Sequence, residues 1–219
     1  MTLGERAFGR LARVGHYGCP NAGSRREVGE RMKRFRVERL RTYSRDLEDI
    51  PPAPRSVGRT LVAADAAAVE DFHAREPRTF SSRKREVLLG RLGTAEQVWL
   101  IKDGDGSWVG WAHTCRGSGP NSRIHHTLRL GADEVYFFDD ATIPARRHQG
   151  VHAFGIIARL EAAKAAGARR AVTTITDSNQ ASIASYTKLG FAPRSILLHF
   201  PDLGRTVELR VPRPRRRGR

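Results

Sequence analysis

The sequence predicts a mixed α/β protein. Two observations predict it: strand-like and helix-like segments alternate as a βαβα unit over residues 134–189, and hairpin strands stand before and after that unit. A short apolar run from Arg59 to Ala63 leads to Asp65, a cap for a helix over Ala66 to His73 with Val69 and Phe72 three apart on one face. A second helix is expected from Ser82 to Leu92, capped by serine and stopped near Gly90 or Gly93. Gln97 to Lys102 and Ser107 to Cys115 read as strands joined by Asp103-Gly104-Asp105-Gly106, whose glycines supply the positive φ of a tight turn. Glu134 to Ile143 is the strongest strand signal, and Pro144 ends it. The helix expected from Gly150 to Ala166 puts Val151, Phe154, Ile157, Leu160 and Ala163 on one stripe, and Gly167 closes it. Arg170 to Thr176 is a β-branched strand, Asn179 to Leu189 a helix ended by Gly190, and Ser195 to Phe200 with Arg205 to Val211 an antiparallel pair. Residues 116–133, with His125, His126 and Leu130, follow no clear period.

Composition bounds the functional classes. The 219 residues are 39% hydrophobic and 28% charged, enough to bury the core of one domain with tails. No stretch approaches the roughly 18 consecutive apolar residues a spanning helix needs, and Glu5, Arg6, Arg10 and Arg13 stand where a secretory signal has an apolar run. Cys19 and Cys115 make neither a disulfide framework nor a CxxC pair, which fits a reducing compartment, and the expected location is the cytoplasm without membrane association. The formal net charge is +16 and the sequence pI about 11.2. Residues 1–50 carry +5, residues 51–201 carry +6 and residues 202–219 carry +5, so the ends are the most basic parts per residue. The run from Pro212 to Arg219 has almost nothing to bury and reads as a disordered Arg-rich tail; residues 1–31 read similarly, with Met32 a conceivable alternative start.

The chemistry concentrates where a strand end meets a helix start. Arg147-His148-Gln149-Gly150-Val151-His152 turns backbone N–H groups toward one point, with the positive end of the helix dipole behind them. Gly150 permits close approach of a phosphate, and Arg146, Arg147 and His148 surround it with positive charge. About thirty residues on stands Asn179-Gln180-Ala181-Ser182-Ile183-Ala184-Ser185-Tyr186-Thr187-Lys188-Leu189-Gly190-Phe191.

This pairing of an R-x-x-G-x-(small) loop with an N-x-A-S-x-x-x-Y-x-K-L-G-F string resembles the GNAT superfamily of acyl-CoA-dependent N-acyltransferases. The resemblance covers about Arg59 to Phe200 and is most specific at Pro144 to Phe191. It implies a mixed, mostly antiparallel central sheet with splayed central strands, flanked by helices, in a domain spanning 51–211 between a basic, partly disordered extension (1–50) and the tail (212–219). It implies acetyl-CoA as acyl donor, without a metal. The N–H groups of Gln149 to Ala153, with Arg147 and His148, would hold the pyrophosphate; backbone near Thr142 and Ile143 would hold the pantetheine and acyl carbonyl; Asn179 would contact the cofactor; and Tyr186 would be the general acid that protonates the thiolate. His152 departs from the pattern, which has Gly or Ala there. For the base, Asp140 is favoured over Asp139, with Glu134, His125 and His126 in reserve, because adjacent strand residues point to opposite faces.

The expected activity is transfer of an acetyl group from acetyl-CoA to a primary amine of a small molecule or peptide, by direct attack through a tetrahedral intermediate, in a monomer or homodimer. The alternatives are an acetyltransferase recruited by its basic tails to a protein, ribosome or other acidic macromolecule, a non-catalytic acyl-CoA binder, and a nucleic-acid-binding protein. The last would be nonspecific, since the sequence carries no recognition-helix signature, zinc spacing or aromatic-rich basic strand.

Overall fold

The computed structural model describes residues 36–53 and 58–211. The expectations for residues 1–31 and for the tail at 212–219 lie outside the described residues. The strands are β1 (Glu38–Asp46), β2 (Thr60–Ala63), β3 (Glu96–Lys102), β4 (Trp108–Arg116), β5 (Ser118–Asn121), β6 (His126–Arg129), β7 (Glu134–Thr142), β8 (Arg170–Thr176), β9 (Ala192–Phe200) and β10 (Arg205–Arg210). The helices are α1 (Ala66–Arg75), α2 (Ser82–Arg91), α3 (Val151–Ala165) and α4 (Gln180–Lys188). Eight strands form one sheet in the order β10-β9-β1-β8-β7-β4-β3-β2, and β5 and β6 make a separate hairpin. Within the large sheet every pair is antiparallel except β7 with β8, whose connection through α3 is the crossover that a parallel pair requires. No helix among the described residues is long and apolar enough to cross a membrane.

Local chemistry starts the helices where the sequence places them. Asp65 accepts from the Ala68 N–H (2.7 Å), Ser81 from Lys84 (3.3 Å) and Asn179 from Ser182 (3.2 Å), each cap worth about 1 kcal/mol. On one face of the sheet Ile156 and Leu160 of α3, Tyr186 of α4 and Phe191 just after it cover Val135, Phe137, Ala171 and Ile175. On the other, α1 and α2 bring Val69, Phe72 and Leu88 onto Val98, Leu100 and Trp111. Phe72 and Phe80 stack at 4.4 Å, both fully buried, each contributing roughly 1.5–3 kcal/mol.

Strand β1 corrects the expected boundary at residue 51. Glu38–Asp46 lies between β8 and β9 in the interior of the sheet, so the fold begins inside the segment assigned to the basic extension. In β1 Leu40 and Thr42 are buried on one face and Tyr43 on the other, under α3 and α4, and the buried Thr42 hydroxyl is satisfied by Ser195 Oγ at 2.5 Å. Its outward arginines, Arg39 and Arg41, share Asp177 at 3.1 and 2.9 Å.

Candidate active site

The site is opened by the backbone of β7. Pairing with β8 ends at Phe137↔Thr173, yet β7 continues to Thr142 and β8 to Thr176, so the two strands separate over their last residues. On its other side β7 pairs Thr142 with Gly110 and Ala141 with Trp111, then Phe138 with His113: one extra residue is accommodated in β7. Asp139 takes up the bulge with φ +49, a left-handed conformation that aspartate tolerates better than most residues. The bulge resets the alternation. Asp139 reaches Lys84 (2.8 Å) and Arg91 (2.6 Å) of α2, while Asp140 is sent toward α3 and α4. Both residues border the same cavity, against the expectation that only one could, although their carboxylates bind opposite partners.

On the α3 side lies a groove of about 470 Å³, bordered by Thr142, Arg147, His148, Gly150, Val151, His152 and Asn179 among others. Gly150 caps α3 with φ +76, and the first intrahelical bond runs from the Phe154 N–H to the Gly150 carbonyl. The N–H groups of Val151, His152 and Ala153 precede that bond and point out of the positive helix end. The buried Thr142 Oγ1 has no partner among the described residues, a polar atom left for a ligand at the strand end. These features suit a diphosphate and an extended arm. Two expected residues stand apart from the groove lining. Ile143 is 3% exposed, its N–H donated to the Val109 carbonyl and its carbonyl taken by Arg146. Gln149 turns its side chain back to the Ala145 carbonyl, and its own carbonyl accepts from Arg59 (2.7 Å). Arg146 is committed to Asp103 and Asp105 of the β3–β4 turn, so that turn and Arg59 brace the loop from behind.

On the far side of the splay a second cavity, of about 420 Å³, is lined by hydroxyl, amide and charged groups, including Asn121, Thr173, Thr174, Thr176, Arg91 and Arg123. Asp140, Asn179 and Ser182 border both spaces, so groove and cavity meet there.

At the meeting point one carboxylate oxygen gathers three donors. Asp140 Oδ2 accepts from Arg159 Nη2 (2.7 Å) and from the Tyr186 hydroxyl (2.7 Å), and it lies 3.2 Å from His152 Nε2. Burial alone would raise the pKa of this carboxyl. The Arg159 charge and the hydrogen bonds from His152 and Tyr186 outweigh it and hold the group well below the ordinary carboxylate range. With three partners on one oxygen, Asp140 is placed to anchor Arg159, Tyr186 and His152 around the junction. Tyr186 is 1% exposed, packed edge-on against Phe191, and burial followed by the Asp140 charge pushes its phenol above the usual value of 10. The reserve residues are elsewhere. Glu134 sits at the opposite end of β7 with Arg170 and Arg194, and His125 and His126 lie beside His199 and Glu208.

Arg159 is a residue of the site that sequence reasoning missed. Its side chain is fully buried, with Nε on the Gly155 carbonyl (3.0 Å), Nη2 also 3.3 Å from the Tyr186 oxygen, and the guanidinium 4.6 Å from the centre of the Phe137 ring. A signal existed: His152, Ile156, Arg159 and Ala163 fall at helical spacing, so a basic residue stands inside an inward stripe and calls for a buried counter-ion.

Comparison with known proteins bears on this architecture. Among the solved structures that share the fold are a GCN5-related N-acetyltransferase from Sphaerobacter thermophilus (TM-score 0.53, 16% identity, 81% of this chain and 54% of that one) and a conserved protein of unknown function from Staphylococcus epidermidis (TM-score 0.52, 11% identity, 76% and 63%). This chain thus spans less than two thirds of the length of either. No curated protein matches it. The model of the acetyltransferase (GNAT) family matches residues 63–191, from the end of β2 through the splayed strands to the residue after Gly190. With more than half of the chain matched and the splay, the helix-end groove and the mixed sheet in place, the chain belongs to the GNAT acetyltransferase family.

Proposed function

We propose that this protein is an N-acetyltransferase that moves an acetyl group from acetyl-CoA to a primary amine of a small molecule or peptide, by direct attack through a tetrahedral intermediate. The observation that carries this reading is the meeting of two spaces at Asp140, Asn179 and Ser182: a groove ending on a helix N-terminus, and a polar cavity on the other side of the splay. The donor's diphosphate would lie on the N–H groups of Val151 to Ala153, with Arg147 and His148 adding charge, and its arm would run past Thr142 toward Asn179. The amine would enter from the cavity. Tyr186, which borders that cavity, would supply the proton to the departing sulfur. Its raised pKa keeps the phenol protonated at any working pH, and Arg159 Nη2, 3.3 Å away, faces the negative charge the oxygen acquires.

Two measurements test the reading. Calorimetric titration with coenzyme A is expected to give one site per chain. Incubation with acetyl-CoA and a panel of primary amines is expected to give free thiol and an amine heavier by one acetyl group. Absence of coenzyme A binding would refute it, as would a product acetylated on oxygen alone.

A further inference from the structure

Asp140 already holds three partners at one oxygen, which directs the search for a base to its neighbours. We propose that His152 is that base, oriented by Asp140. The proposal rests on the acetyl-transfer reading above.

Asp139 and His113, the other candidates beside Asp140, are committed. Asp139 is tied to Lys84 and Arg91. His113, behind Asp139, is wholly buried, and its burial pushes it down to about 4. His152 differs from both. Its side chain is 30% exposed and borders the groove within reach of the residues where groove and cavity meet. The ring is fixed on two sides: Nε2 lies 3.2 Å from Asp140 Oδ2, and the plane stands at 76° to the Tyr186 ring with centres 5.8 Å apart. Asp140, paired with the Arg159 guanidinium, can only accept, so Nε2 donates to it, and in the Nε2–H tautomer the lone pair lies on Nδ1. A carboxylate that sets the tautomer of an imidazole turns its other nitrogen into a proton acceptor of fixed direction. The charged and titratable groups around the ring are Asp140 from β7, Tyr186 from α4, Arg159 from α3, and Arg147 and His148 from the preceding turn.

The proton count closes without any further reactant. The neutral amine attacks the thioester carbon, and as the N–C bond forms one N–H proton passes to Nδ1. The C–S bond breaks, and the Tyr186 proton goes to sulfur. The imidazolium, still bonded to Asp140 through Nε2, gives the Nδ1 proton to solvent, and the phenolate held by Arg159 takes one back from water, which restores both groups and leaves amide and thiol as the only products.

Three measurements decide it. Long-range ¹H–¹⁵N NMR of the ligand-free protein is expected to show His152 protonated on Nε2 and bare on Nδ1; the opposite tautomer overturns the proposal. His152→Gln is expected to lower kcat about 100-fold while the Kd for coenzyme A stays within about two-fold, general-base catalysis being worth that much. His152→Gly, which restores the small residue of the family pattern, is expected to be equally slow and to regain activity with added imidazole. If either folded variant turns over within about two-fold of the parent, or if the glycine variant is slow but indifferent to imidazole, His152 is not the base. Such results leave the acetyl-transfer reading standing, because coenzyme A binding and product identity in the parent test that separately.

Discussion

Replacing Arg159 by Met removes a buried charge while keeping a long apolar stem beside Phe137. In the parent, Arg159 is fully buried and donates to Asp140 at 2.7 Å. Removing one partner of such a pair strands the other charge, at a cost of about 3–5 kcal/mol. Asp140 keeps the Tyr186 hydroxyl and His152, and its side chain is 17% exposed, so the expected loss is near the lower figure, about 3 kcal/mol. A domain of this size commonly has 5–15 kcal/mol in hand, so the variant is expected to fold. The pH dependence distinguishes electrostatics from packing. The folded-state pKa of Asp140 is depressed, so in the parent its contribution is present above the unfolded value of about 3.9 and is lost as pH falls below it toward the folded value. Without Arg159 the folded pKa rises, and acid then neutralises the stranded carboxylate. The difference in urea unfolding free energy between parent and variant is therefore expected to be greatest near pH 7 and to shrink toward pH 4. A difference below about 1 kcal/mol at pH 7, or one that is constant with pH, would refute the reasoning.

Three further outcomes are expected. Tyr186→Phe keeps coenzyme A binding but slows turnover ten-fold or more, as removal of a general acid does; unchanged turnover would remove the role. Arg59→Ala frees the Gln149 carbonyl and the Asp103 carboxylate, and is expected to raise the Kd for coenzyme A about ten-fold, the equivalent of one charge-assisted hydrogen bond, with little change in kcat. Burial pushes the Cys115 thiol up to about 12, so in a Cys19→Ser background an aromatic disulfide reagent at pH 8 is expected to label Cys115 in urea but not in the native protein.

The elements read correctly from sequence are those whose periodicity and capping agree: α3 with its apolar stripe, α4 behind Asn179, and the β3–β4 hairpin around Asp103-Gly104-Asp105-Gly106. Strand β1 was hidden because its buried residues are split between two faces, Leu40 and Thr42 on one and Tyr43 on the other, with Arg39, Arg41 and Arg45 among them, so the segment reads as a charged tail. The hairpin of β5 and β6 contains Gly119 and Pro120, which argue locally against strand. The loop and the Asn179 string located the groove, since backbone N–H groups and a cap depend on local order. The roles of Asp139 and Asp140 depended on a bulge, and one inserted residue inverts every inference from alternation. His152 was noticed as an exception to the loop pattern, but its partner is twelve residues away on β7 and only the folded chain joins them.

The insertion of β1 between β8 and β9 governs the order in which the protein can assemble. This strand is synthesised early, and its register partners, Thr176 and Leu197 on either side of Leu40, come more than a hundred residues later. Until they arrive β1 has no ladder to join, and closing so long a loop makes folding slow. A chain begun at residue 51 would retain everything the family pattern covers, yet β9 and β10 would become a detached two-stranded ribbon, which is at best marginal in water. The edge of β8 would stand open beside the cavity it lines. The segment that looks most dispensable in the sequence is thus the one that closes the sheet.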